Sequence, residues 1–226
     1  MILYTGDLSP YSAKIRMQLY AKGIADIPFE RPPGFPTAEW RKVSALGRIP
    51  VLELAPGDVI PESSVIAEYL EEIHPAPRLL GATPRESATV RALAQLSDAY
   101  LLDNMFKLSG QTRASTRSEA VRDLLAAQVV RGVGALEAMI DGAGGFACLG
   151  RITLADCALV PALFMIENVL PATDVADPIP DSPKVAAYWA AIRAEPSAAR
   201  IVDEMTRGLA ERRQLIRDMA AKAAAG

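Results

Sequence analysis

The sequence predicts a small α/β domain followed by an all-helical domain. Three observations carry this. Short apolar runs bounded by turn residues all lie before Pro75. A stretch with Pro75, Pro77, Gly81 and Pro84 then interrupts the pattern, as a linker does. Beyond it strand signals vanish and helical periodicity takes over. The divisions that follow are 1–76 for the α/β domain, 77–85 for the linker and 86–226 for the helical domain.

Each element has a local reason. Ile2 to Thr5 is a short apolar strand running into turn chemistry at Gly6 to Pro10. From Ser12, the spacing of Ile15, Met17, Leu19 and Tyr20, with Lys14, Arg16 and Lys22 between them, fits a helix closed by Gly23. Ile27 to Glu30 is a second short strand, and Thr37 to Lys42 suits a short helix ending before Gly47. Val51 to Leu54 forms a third strand, and Pro56-Gly57-Asp58 turns tightly into Val59-Ile60. Ser63 caps a helix that carries Val65, Ile66, Tyr69, Leu70 and Ile73. In the second domain one long helical pattern runs from Glu86 to about Ser109 and another from Glu119 to Ile140. Gly142, Gly144 and Gly145 break the chain, and Thr153-Leu154-Ala155-Asp156 has capping-box spacing ahead of an apolar stretch. Pro183 opens a further helix, and a last one runs from Ser197 into the Ala-rich tail, Ala220 to Gly226.

Composition excludes several kinds of chemistry. Of 226 residues 50% are hydrophobic but only 6% aromatic, an excess of Ala, Leu, Val and Ile that favours close-packed helices. One histidine, His74, leaves a Ser-His-Asp hydrolase a single possible base, and two cysteines leave a zinc site short of ligands. Cys148 and Cys157 do not form a C-x-x-C pair, so thioredoxin-type redox chemistry is not expected. A net charge of −3 gives no electrostatic footprint for nucleic acid. No apolar run is long enough to span a membrane, and Met1 to Thr5 reads as a strand and not as a signal peptide. A cytoplasmic protein is the expectation.

Four segments, in order and spacing, carry a resemblance. Ser9-Pro10-Tyr11-Ser12 stands at the first helix start and Gly47-Arg48-Ile49-Pro50-Val51-Leu52 before the third strand. Glu62-Ser63-Ser64-Val65-Ile66 precedes Tyr69-Leu70, and Thr153-Leu154-Ala155-Asp156 lies in the helical half. Together with the domain order they resemble the cytosolic glutathione S-transferase superfamily, as a serine-type bacterial member nearest in motif to its tau-, omega- and zeta-like classes. The resemblance covers nearly the whole chain. It implies a thioredoxin-like α/β domain joined to an all-α domain, glutathione as co-substrate, a homodimer, and a cis proline at Pro50.

The residues make physical sense of that implication. A helix N-terminus presents unpaired N–H groups and partial positive charge, and a hydroxyl placed there lowers the pKa of a nearby thiol. Ser9, followed by Pro10 at a position where a missing N–H costs nothing, is the catalytic candidate. Ser-Pro is also ordinary turn chemistry, and Ser12 competes both for the thiol and for the helix N-cap. By resemblance, Ile49 before Pro50 pairs with the cysteinyl unit of glutathione as an added strand would. Glu62 and Ser63 hold the γ-glutamyl end, and ordinary capping is the alternative for them. Tyr11 belongs to the same site. Arg48 and Lys42 are candidates for the glycyl carboxylate, or else solvated surface charges. Asp98 and Asp103 lie where some members of the superfamily reach glutathione's amine across a dimer interface.

An apolar cleft between the domains would receive a small apolar electrophile. Tyr11, Tyr100, Asn104, Met105, Phe106 and Phe164 are its candidate lining, although helical spacing places several of them in the core instead. Trp40, Trp189 and Cys157 read as core, His74 as a surface or C-capping residue, and Thr153 and Asp156 as serving folding. Serine in place of the cysteine of omega-type proteins argues against a reductase. Ser9-Pro10-Tyr11, in place of a Ser-Ser-Cys segment, argues against a maleyl-type isomerase. The resulting expectation is a transferase whose glutathione thiolate attacks an electrophilic carbon. A lyase or etherase, a dehalogenase, an isomerase and a non-catalytic binding protein are the alternatives.

Overall fold

A computed structural model describes residues 1–112 and 117–225, with side chains as far as Lys222. Gly226, the end of the Ala-rich tail, lies outside the described residues. The first domain runs β1 (Ile2–Tyr4), α1 (Pro10–Lys22), β2 (Phe29–Glu30), α2 (Trp40–Val43), β3 (Val51–Ala55), β4 (Asp58–Pro61) and α3 (Ser63–Ile73). Its four-stranded sheet has the order β2-β1-β3-β4. β1 pairs with β2 in parallel and with β3 antiparallel, placing Tyr4 opposite Val51, and β3 pairs antiparallel with β4.

The second domain is helical throughout: α4 (Pro84–Leu96), α5 (Asp103–Ser109), α6 (Glu119–Met139), α7 (Leu154–Asn168), α8 (Pro183–Ile192) and α9 (Pro196–Ala225). The helical pattern expected to be continuous from Glu86 to Ser109 is interrupted. A π-helical turn at Ser97–Leu102 joins α4 to α5. α4 also begins at Pro84, within the stretch read as linker, because Thr83 and Glu86 form a capping box there. No helix among the described residues is long and apolar enough to cross a membrane.

α7 is the axis of the helical domain, buried from Leu154 to Ile166. Its first turn is fixed by Asp156, whose carboxylate accepts from Thr153 N (2.8 Å), Thr153 Oγ1 (2.9 Å) and Ala147 N (2.8 Å). Trp40, Trp189 and Cys157 are buried as expected, and His74 takes the C-cap position of α3.

α1 departs from its sequence pattern. It packs on the sheet domain's α3 and also on α7 and α9, so every residue from Ser12 to Leu19 is buried. Lys14, Arg16 and Lys22, which in an amphipathic reading face water, are buried and paired. Lys14 meets Asp98 at 2.6 Å, Arg16 meets Glu204 at 2.9 Å and Lys22 meets Glu71 at 2.7 Å. Buried cations demand such partners. The helix that leads out of Ser9 is thus bolted to both domains by charge pairs.

Candidate functional site

The N-termini of α1 and α3 and the segment before β3 all open on one cavity of about 1430 Å³. Its walls come from Thr5 to Tyr11, from Arg48 to Pro50, from Glu62 to Val65, and across the domain boundary from α4, α5, α7 and α9.

Ser9 is the N-cap of α1. Its backbone is extended (φ −77°, ψ 113°), and its Oγ accepts a hydrogen bond from Ser12 N at 3.3 Å. Capping uses an oxygen lone pair and leaves the hydroxyl proton free to donate to an anion in the cavity. Capping and donation to a thiolate are compatible at this one hydroxyl. Ser12 is not the cap. It is fully buried, lies outside the cavity walls, and its Oγ has no partner.

The bond from Ile49 to Pro50 is cis. Trp40 Nε1 and Ser44 Oγ both donate to Arg48 O, at 3.1 and 3.2 Å, which fixes the approach to this segment. The backbone N–H and C=O of Ile49 have no partner among the described residues, and they stand at the cavity wall. Arg48 lines the cavity with a guanidinium that pairs with no carboxylate among the described residues, whereas Lys42 sits on the exposed side of α2 and does not reach it.

Glu62, not Ser63, occupies the N-cap position of α3, and its backbone is left-handed (φ 69°, ψ 115°). A non-glycine residue held there is strained by about 1–3 kcal/mol, and such residues cluster at binding sites. Ser63 is the first helical residue, buried against the cavity. The open N–H groups of a helix end favour an anion. Asp98 stands beside this helix end within the same chain. Its Oδ2 accepts from Lys14 Nζ (2.6 Å) and Ser64 Oγ (2.9 Å), and its Oδ1 is buried without a partner. Asp103 also lines the cavity but pairs with Lys107 at 2.6 Å in an exposed contact.

The far side of the cavity corrects the sequence reading. Phe106 lines it, stacked on Tyr11 with centroids 5.8 Å apart and planes at 19°. Tyr100 and Asn104 do not; they face outward, with Asn104 Nδ2 donating to Tyr100 O at 2.9 Å. Met105 and Phe164 are core residues, and Met165 takes the wall position expected of Phe164. Between α4 and α5 the π turn changes the register. In an unbroken α-helix, Leu102 would follow Gln95 and Asp98 on one face; the wider turn buries Leu102 and brings Asp103 to the wall. Sequence reasoning also missed Arg31, Phe35 and Leu46, and Glu211, Arg212 and Leu215 of α9. Nothing in the polar end of α9 marks it as a cavity wall.

Electrostatics limit which groups can act. Burial, reinforced by Asp98 and Asp103, pushes the Tyr11 phenol well above its ordinary range, so it stays neutral and keeps its proton. Burial pushes the Cys148 thiol up to about 11 and Cys157 well above its ordinary value. Neither cysteine supplies a thiolate at neutral pH.

Comparison with known proteins matches this architecture. Residues 3–78 match the glutathione S-transferase N-terminal domain, and residues 119–191 match the C-terminal domain. Maleylacetoacetate isomerase of Pseudomonas aeruginosa is 33% identical over 181 residues, covering 74% of this chain and 82% of its own. The chain belongs to the glutathione S-transferase family. The mouse maleylacetoacetate isomerase is 32% identical over 177 residues, covering 74% of this chain and 78% of its own. A glutathione S-transferase of Methylobacterium radiotolerans, crystallised with glutathione sulfonate, is 26% identical. It superposes with a TM-score of 0.76 over 89% of this chain and 93% of its own. Two of these relatives are maleyl-type isomerases, the class from which Ser9-Pro10-Tyr11 had set the chain apart.

Proposed function

We propose that this family member binds glutathione in the described cavity and lowers the pKa of its thiol with the Ser9 hydroxyl and the N-terminus of α1. One observation carries the reading. The Ser9 hydroxyl, the unpaired backbone of Ile49 and the open end of α3 face the same space. In this reading the cysteinyl unit pairs with Ile49, beside Pro50. The γ-glutamyl carboxylate sits on the N–H groups at Ser63, and Glu62 and Asp98 meet its ammonium. Arg48 holds the glycyl carboxylate. Tyr11, Phe106 and Met165 receive the apolar part of an electrophilic acceptor. A homodimer belongs to the same reading.

A free cysteine-type thiol has a pKa of about 8.5, so only a few per cent is thiolate at neutral pH. A hydrogen bond to the charged form and the partial charge of a helix end both favour the thiolate. The thiol proton leaves to water, which removes the need for a base; the only histidine sits at the far end of α3. The sulfur lone pair then forms a bond to the electrophilic carbon, and the leaving group departs with its electron pair. A transferase is the first reading.

A second reading is favoured by the similarity to maleylacetoacetate isomerases over 74% of the chain. There the thiolate adds to an activated double bond, the resulting single bond rotates, and expulsion of the thiolate restores the double bond. Product mass and free thiol, followed together over an acceptor panel, separate the two: conjugation consumes thiol and isomerisation returns it. Ser9→Ala removes one hydrogen bond to a charged group, worth about 1.5–3 kcal/mol, or roughly 10- to 150-fold in kcat/KM. Unaltered kinetics in that variant would refute the role of Ser9.

A further inference from the structure

Arg16 lies in the middle of α1 and is only 1% exposed. Its guanidinium donates to four acceptors. Nη1 reaches Thr5 Oγ1 (2.7 Å) and Gly6 O (3.0 Å), and Nη2 reaches Asp7 O (3.0 Å). Nε reaches Glu204 Oε2 at 2.9 Å. Three of the four belong to the turn that delivers Ser9, whose own N–H donates to Gly6 O at 3.0 Å. The fourth comes from α9, in the other domain.

Glu204 is itself held. Its second oxygen accepts from Tyr20 OH at 2.7 Å and from Arg200 Nε at 3.2 Å, and the Arg200 guanidinium lies over the Tyr20 ring. One helical turn further, Gly208 presses on the same Ser9-bearing turn from outside. A Cβ there would stand 2.8 Å from Leu8 N and 3.0 Å from Asp7 Cβ, so only glycine lets α9 lie this close. An ion pair and a backbone contact, made by different residues, converge on the residues just before Ser9.

A buried ion pair is a poor source of net stability, because desolvation of both charges offsets their attraction. Its geometric effect is stronger: a planar fork with fixed donors leaves the turn one arrangement. Displacement of a catalytic group by about 1 Å costs roughly 100-fold in rate.

We propose that Arg16, anchored by Glu204, and Gly208 are positioning residues that clamp the Thr5–Leu8 turn so that the Ser9 hydroxyl stays aimed at the glutathione thiol. Through them α9 sets thiol activation in the other domain. The inference rests on the role assigned to Ser9.

The test is the pKa of the enzyme-bound glutathione thiol, followed by thiolate absorbance in the binary complex. It is read for the wild type and for Arg16→Lys, Glu204→Gln, Gly208→Ala and Ser9→Ala, with folding checked by urea titration. Gly208→Ala and Glu204→Gln decide the matter if Arg16→Lys fails to fold. Each positioning variant is expected to raise the thiol pKa by about one unit, a roughly tenfold fall in its acid dissociation constant. KM for the acceptor changes little. Combined with Ser9→Ala, none of them raises the pKa further, because all act through that hydroxyl. If Ser9→Ala raises the pKa while the folded positioning variants leave it unchanged, the clamp is overturned and the Ser9 role stands. If Ser9→Ala itself leaves the pKa unchanged, both fall.

Discussion

Asp98 and Asp103 both line the cavity, both pair with a lysine at 2.6 Å, and yet should behave very differently when truncated. Side-chain exposure is 4% for Lys14 and 14% for Asp98, against 59% for Lys107 and 50% for Asp103. Asp98→Ala leaves the buried Lys14 ammonium with only the Ser64 hydroxyl as acceptor among the described residues. Removing one partner of a buried pair costs about 3 kcal/mol or more. For a chain of this size that is roughly a 6–12 °C fall in Tm. Asp103→Ala breaks an exposed i,i+4 pair worth about 0.3–0.5 kcal/mol, a shift of roughly 1–2 °C. Thermal and urea unfolding of the two variants, side by side, give both numbers. At temperatures where both are folded, Asp98→Ala should also weaken glutathione binding by calorimetry, since Ser64 and the first turn of α3 lose their anchor. Equal losses of stability in the two variants would refute the reasoning that burial, and not charge pairing as such, decides the cost.

Further expectations follow from single contacts. Tyr11→Phe should leave the pH profile of kcat/KM unchanged through the neutral range, because the phenol is already held neutral by burial and by the nearby carboxylates; Tyr11→Ala should raise acceptor KM by removing the stack on Phe106. Phe164→Ala should cost about 3–5 kcal/mol in urea unfolding with acceptor KM unaffected, whereas Met165→Ala, buried but also on the cavity wall, should cost about 2–5 kcal/mol and raise acceptor KM as well. Asp156 has its folded pKa raised by burial above the ordinary 3.8, so the folded state binds more protons than the unfolded one in that window. Its contribution is therefore fully present below the unfolded pKa and is lost as pH rises through the folded one. Urea midpoints of wild type and Asp156→Asn measured from acid upward should converge in slope only outside that window.

Much of this molecule is legible in its sequence, for identifiable reasons. Alternation and turn residues mark β1, β3 and β4, and the capping spacing at Thr153 and Asp156 marks the start of α7, because these signals are local. Pro10 after Ser9, and Pro50 after Ile49, point to the two cavity edges that the structure brings together. What escaped the sequence depends on distant partners. The burial of Lys14, Arg16 and Lys22 could not be read locally because their carboxylate partners lie 49 or more residues away, at Asp98, Glu204 and Glu71. The π turn at Ser97–Leu102 has no local signature, and it changes the register between α4 and α5. The role of α9 is equally non-local: Gly208 looks like a helix weakness until the backbone of Leu8 is found against it.

The central claim is that this cavity makes a thiolate from glutathione. Titration of the thiolate absorbance of bound glutathione, in wild type and in Ser9→Ala, tests it most directly. The account predicts a pKa well below the ordinary value of about 8.5 in the wild type and a return toward that value in the variant. A bound thiol that titrates like free glutathione in both proteins would contradict it.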